Sequence, residues 1–146
     1  MIIQSGKHKG KTAALVILKY PDWVEWLIAK HPENSLVAEF RRLIEIMNKK
    51  PFIENCRSCE KLAVRASAYR NTPDDLYLWC DTCDPYGTGA NHGKLYIVTT
   101  FNSALEHVNY TCEGRRSDKR IIIRELAQAK GLPERVGASQ AAAFFT

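Results

Sequence analysis

Cys56-Arg57-Ser58-Cys59, twenty residues, and then Cys80-Asp81-Thr82-Cys83: the reading of this chain turns on these two short motifs. Each C-x2-C is a tight turn that offers two sulfurs. The interval between them is long enough for a hairpin to bring the turns together, so four thiolates can collect a tetrahedral Zn2+. Competing readings are two disulfides, a redox C-x-x-C, and four unrelated buried thiols. A redox motif needs a thioredoxin-like setting and does not explain a second copy at this distance. Structural zinc on Cys56, Cys59, Cys80 and Cys83 is therefore the expectation. Cys112 reads as a small buried hydrophobe or a spare thiol.

Between the knuckles, Lys61–Arg70 alternates as a half-exposed strand. Leu62, Val64, Ala66 and Ala68 are expected on one face, with Lys61, Ala63, Arg65, Ser67 and Tyr69 on the other. Asn71-Thr72-Pro73-Asp74-Asp75 is a turn, and Leu76-Tyr77-Leu78-Trp79 returns to Cys80. This is the layout of a zinc ribbon. Arg65, Arg70 and Tyr69, with Tyr77 or Trp79, either form a basic and aromatic face for bases and phosphates or shield the metal.

Towards the N-terminus, Gly6-Lys7-His8-Lys9-Gly10-Lys11-Thr12 invites comparison with a phosphate-binding P-loop. That loop needs four residues between its first Gly and the Gly-Lys-Ser/Thr, and here Gly6 and Gly10 enclose three. ATP or GTP binding is rejected. What remains is a glycine-flanked turn projecting Lys7, His8, Lys9 and Lys11. Thr12 is expected to open a helix over Ala13–Lys19, ended by Pro21. A second helix runs from Pro21 or Asp22 with Trp23, Trp26 and Leu27 on one apolar face, and Pro32 breaks it. Asn34 or Ser35 caps a third, with Leu36, Phe40, Leu43, Ile44 and Met47 inward.

The lysine turn, followed by Pro21-Asp22-Trp23-Val24-Glu25-Trp26-Leu27, resembles the small C-terminal domain of exonuclease X-like proteins, over about the first thirty residues. The resemblance implies an accessory domain of DNA-processing proteins that touches nucleic acid through the lysine turn. The acidic metal ligands of the exonuclease catalytic domain have no counterpart here. No nuclease activity is carried over.

The middle segment resembles the Ogr/Delta-type zinc fingers of phage late-transcription activators. The matching pieces are Cys56-x-x-Cys59, Val64-Arg65-Ala66-Ser67-Ala68-Tyr69, Leu76-Tyr77 before Cys80, and Tyr96-Ile97-Val98 before Phe101. That family places four residues between its last two cysteines where this chain has two, and Asp84–Lys94 has no counterpart in it. The resemblance implies zinc ligation and DNA contact by Arg65.

Two catalytic readings are weaker. Asp74-Asp75 could hold Mg2+ at the hairpin tip, but paired acids after Thr-Pro ordinarily make a solvated turn. His92, Asn102 and His107 suggest a His-Asn-His nuclease, yet residues 60–79 contain no histidine where such enzymes place one. His92 is also an alternative zinc ligand. Lys94–Thr100 reads as a strand, and Asn102 or Ser103 as the cap of a short helix through His107. Ser117 is expected to cap a helix over Asp118–Lys130, stopped by Gly131 and Pro133. On it Arg116, Arg120 and Arg124 share a face, with Lys119 beside them, and this stripe can follow phosphates. The tail from Gly137 reads as a small-residue linker. Its Gln140–Phe145 weakly resembles the peptides that replication proteins insert into sliding clamps; the favoured alternative has Phe144 and Phe145 fold back onto the protein.

Charge supports a polyanionic partner. The net +5 divides unevenly: residues 1–50 carry nine basic against five acidic side chains, 51–115 six against eight, and 116–146 six against three. No run is long enough to span a membrane and no signal-peptide pattern opens the chain, so a cytoplasmic protein with reduced thiols and no membrane partner is expected. The expected architecture is α+β: a helical N-terminal unit over 1–50, a zinc-ribbon domain over 51–115, and a basic helix with tail over 116–146. The expected function is non-catalytic binding of nucleic acid, DNA in the first instance, in DNA processing or transcription, with a phage or mobile element as the source and a replication or transcription protein as a further partner. A small metal-dependent nuclease and a zinc-stapled interaction adaptor are the alternatives.

Overall fold

The computed structural model describes residues 1–83, 85 and 94–146. Among these it contains six helices and one three-stranded antiparallel sheet, a mixed α+β architecture. The lysine turn comes first and is closed like a small hairpin. Ile2 bridges Thr12, Ile3 N–H bonds to Lys11 O at 2.9 Å, and Gly10 N–H bonds to Ile3 O at 2.9 Å. Gly6 and Gly10 have φ of +85° and +87°, the left-handed region that only glycine enters without strain, so the turn depends on both.

Three helices follow as the sequence leads one to expect. Thr12 caps α1 (Ala13–Lys19), its hydroxyl accepting from Leu15 N–H at 3.2 Å. Pro21 stands at the first position of α2 (Pro21–Lys30), where its missing N–H costs nothing. Asn34 caps α3 (Ser35–Lys49), its side chain accepting from Leu36 N–H at 2.9 Å. Apolar almost all round, α1 lies at the centre, in contact with α2, α3 and two later helices. Trp26 departs from the expected core face. It is 48% exposed and packs edge-on against His31, whereas Val24 and Leu27 take the buried positions of α2.

The sheet has the order β2-β1-β3, from β1 (Arg65–Tyr69), β2 (Tyr77–Trp79) and β3 (Leu95–Ile97). Ala66 pairs with Leu78 and Ser67 with both Tyr77 and Ile97. The expected alternation over 61–70 holds only in part. Leu62 and Val64 are exposed and Ala63 is buried, because Ala63 N–H bonds to Glu54 O and Val64 N–H to Trp79 O ahead of the regular strand. Within β1, Ala66, Ser67 and Ala68 are all buried, so both faces of the central strand are covered.

Thr100, rather than Asn102 or Ser103, caps α4 (Phe101–Thr111) through a reciprocal box with Ser103. The next helix, α5 (Arg116–Ala129), begins before Ser117, with Arg115 at the cap position. The tail is not a linker. Residues Ala138–Phe144 form α6, which packs on α1 and buries Ala141 and Phe144, with Phe145 buried just beyond. One hydrophobic cluster takes residues from all three sequence segments, including Val16, Ile17, Phe40, Ala66, Phe101, Ile122, Leu126 and Phe144. No described helix is long and apolar enough to cross a membrane.

Candidate functional site

The four knuckle cysteines converge. Their Sγ atoms all lie within 4.8 Å of one another, and Cys59 Sγ is 3.6 Å from Cys80 Sγ. A tetrahedral ion with metal–sulfur bonds of about 2.3 Å separates its ligands by about 3.8 Å, so the cluster has the dimensions to hold a metal ion. All five cysteines are free thiols. Backbone geometry builds the cage. Cys56 N–H bonds to Lys61 O at 2.7 Å and closes the first knuckle, and Ser58 N–H points to Cys56 Sγ at 3.4 Å. In the second knuckle Cys83 N–H points to Cys80 Sγ at 3.3 Å, and Thr82 Oγ1 lies 3.3 Å from the same sulfur.

These contacts divide the thiols electrostatically. Hydrogen bonds from the Thr82 hydroxyl and from the Thr82 and Cys83 backbone N–H groups bring Cys80 down to about 5. Cys83, bonded to the side chains of Cys80 and Cys59, is pushed up to about 12. The surroundings thus favour the thiolate at Cys80 and the thiol at Cys83. A dication held among the four sulfurs would favour the thiolate form at each of them.

Trp79 and Arg65 finish this centre. Trp79 is buried against Cys56 and Cys80, with Tyr77 and Leu95 at the margin, so it shields the cluster instead of offering a stacking face. Arg65 donates from Nε to Cys80 O at 3.1 Å and from Nη2 to Cys83 O. The arginine expected to contact DNA thus lies at the metal cluster, with its guanidinium donating to the carbonyls of the second knuckle. Tyr77 is held between Arg57, 4.2 Å above its ring, and Tyr69 at 5.4 Å edge-on. Asp75 accepts a hydrogen bond from Tyr77 and pushes its phenol pKa up, so half of the acidic hairpin tip is occupied within the fold.

The expected basic residues are brought together, with changed roles. His8 is 2% exposed, wedged against Tyr20 at 4.5 Å and Trp23 at 4.9 Å. It is a structural plug, which corrects its expected place as a surface contact. Burial, then Lys11 and Lys7, lowers its pKa, and the neutral ring accepts from Lys11 Nζ at 3.2 Å. Lys7 and Lys9 remain exposed on the turn. Lys119 pairs with Glu25, and Arg120 grips Asp22, so these two members of the stripe are tied to α2 and are not free surface charges as expected. Arg116 and Arg124 are exposed.

Tyr20 is the residue that sequence reasoning missed. Lys11 Nζ lies 4.7 Å from the centre of its ring and the Arg120 guanidinium 5.0 Å from it, so the lysine turn and α5 meet there. A cavity of about 310 Å3 opens beside the ring, lined by Lys19, Arg120 and Arg124 with Leu18 and Ile121. Two cations at the ring, Lys11 and Arg120, and two more lining the cavity, Lys19 and Arg124, favour an anion that also carries a flat apolar group. The only local signal was an aromatic residue directly before Pro21.

Of the suggested nuclease triad, the structure describes His107 and Asn102. His107 is 3% exposed, with Nδ1 hydrogen-bonded to the Thr111 hydroxyl, while Asn102 is on the surface. His92 lies outside the described residues, as does most of the Asp84–Lys94 insertion. Comparison of the chain with protein-family models, with curated proteins and with solved structures finds no match.

Proposed function

We propose that this protein binds nucleic acid without cutting it, and that a zinc ion held by Cys56, Cys59, Cys80 and Cys83 staples its ribbon. The observation that carries the reading is the meeting of two basic segments, far apart in sequence, at the Tyr20 ring. Exposed Lys7 and Lys9 extend that surface along the turn, and Arg116 and Arg124 extend it along α5. Cations distributed in this way suit a chain of phosphates better than a single small anion. Four sulfur donors at tetrahedral spacing favour zinc over harder cations, which prefer oxygen. DNA is the first candidate because the lysine turn resembles an accessory domain of DNA-processing proteins.

Incubation with labelled single- and double-stranded DNA in the presence of Mg2+ tests the reading. Retarded but intact DNA is the expected outcome. Fragmented DNA would favour the nuclease alternative, and DNA that is neither shifted nor cut would favour the interaction adaptor.

A further inference from the structure

The lysine turn touches one aromatic ring from each of two cavities. His8, at the turn's centre, touches both Tyr20 and Trp23. Tyr20 lines the 310 Å3 cavity already described. Trp23 lines a second of about 540 Å3, together with Ser5 and Gly6 of the turn, Leu27 of α2, and Ser35 and Leu36 of α3. The two share no lining residue, and neither is lined by a carboxylate. Both volumes are within or near the range that accepts a small planar ligand. Each has one aromatic wall, and exposed Lys7 and Lys9 rise on the turn that touches both rings.

We infer that the partner is single-stranded nucleic acid, with one base entering the Trp23 cavity, its phosphates crossing the lysine turn, and a neighbouring base entering the Tyr20 cavity. This rests on the nucleic-acid reading above and deepens it. In a duplex the bases are paired and stacked, and only phosphates and groove edges reach a protein surface, so neither cavity would be used. A single strand can turn its bases outward onto aromatic walls while cations follow its backbone. The charge is placed accordingly: cations on the turn, and an uncharged set of side chains around Trp23.

Trp23 packs edge-on against Phe40 in the core, so its removal would confuse folding with binding. Ser35 is exposed at the first position of α3, and Ser35→Tyr fills the cavity from its rim without disturbing that packing. Anisotropy titrations with a short labelled oligothymidine and with a labelled duplex, on both proteins, read the effect. The expected result is tighter binding of the oligothymidine than of the duplex. Ser35→Tyr should weaken the former about tenfold, the worth of one stacked base, and leave duplex affinity and salt slope unchanged. Equal affinity for the two probes, or an unchanged oligothymidine affinity in Ser35→Tyr, overturns the inference while nucleic-acid binding stands. Binding of neither probe overturns that reading, and the inference with it.

Discussion

Arg120 holds Asp22 with two hydrogen bonds, Nε to Oδ1 at 2.9 Å and Nη2 to Oδ2 at 3.2 Å, across 98 residues of sequence. The fork locks α5 to the start of α2. It also presents the guanidinium to Tyr20, so one side chain serves both the packing of the fold and the basic surface. Asp22 is 8% exposed and Arg120 39%. Removing the arginine leaves a nearly buried carboxylate without its partner.

Arg120→Ala should therefore lose about 1–2 kcal/mol of stability, read as a lower denaturant midpoint. Arg120→Lys should recover only part of it, because an ammonium cannot reproduce the two parallel bonds. An unchanged midpoint in Arg120→Ala would show the pair to be incidental. Binding tests on α5 belong instead to Arg116 and Arg124, whose exposed side chains can be changed without this penalty.

The cysteine cage predicts one metal ion per chain. Cys59→Ser and Cys80→Ser should each lose it and melt the ribbon, since metal binding and folding are coupled in such segments. Cys112→Ser should keep full metal content, because Cys112 packs against the main core and not against the cluster. Elemental analysis of the three variants separates these outcomes. Metal retained in both cage variants would contradict the assignment.

A buried lysine, unremarkable in the linear chain, supplies a pH dependence. Lys130 is 3% exposed and donates from Nζ to Met47 O at 2.8 Å and Asn48 O at 3.3 Å, capping the end of α3. Burial, then the nearby Lys50, lowers its pKa from 10.5 to about 8. Between those values the folded protein has released a proton that the unfolded chain still holds, so stability rises with pH there. The gain is complete above the unfolded value and lost as pH falls through about 8. The contribution is about 3–4 kcal/mol. Urea melts of wild type and Lys130→Met across this window should differ in slope, with the rise present only in wild type. Parallel curves would refute the assignment.

The tail should matter for stability. Phe144 and Phe145 stack edge-on at 5.1 Å and are buried, and the Lys50 ammonium lies 4.8 Å from the Phe144 ring. Phe144→Ala should cost about 3–5 kcal/mol, as for other buried aromatics. A deletion of residues 139–146 that left the melting temperature unchanged would show that α6 does not contribute.

Local chemistry made much of this fold legible. Thr12, Pro21 and Asn34 announce their helices because caps act within one turn of chain, and the cysteine knuckles are likewise short-range signals. What escaped was set at long range. Trp26 shares the helical face of Trp23, but only the approach of α3 and the lysine turn decides which ring is covered. Lys119 and Arg120 look like surface charge until α2 brings Glu25 and Asp22 to them. Residues 138–144 look like linker because small residues carry little pattern, and the face they cover on α1 is more than a hundred residues away. Of the candidate site, the convergence of the four cysteines was legible, whereas the meeting of two basic segments at Tyr20 was not.

The most direct test of the central claim is the salt dependence of DNA binding. Each phosphate contact contributes a slope of about 0.7–0.9 in log affinity against log salt concentration. Lys7→Ala with Lys9→Ala removes two exposed cations from the turn, and Arg116→Ala with Arg124→Ala removes two from α5. Each pair should flatten the wild-type slope by about 1.4–1.8 while the melting temperature stays near that of wild type. Slopes equal to wild type in both pairs would contradict the claim that the turn and α5 together form the phosphate-binding surface.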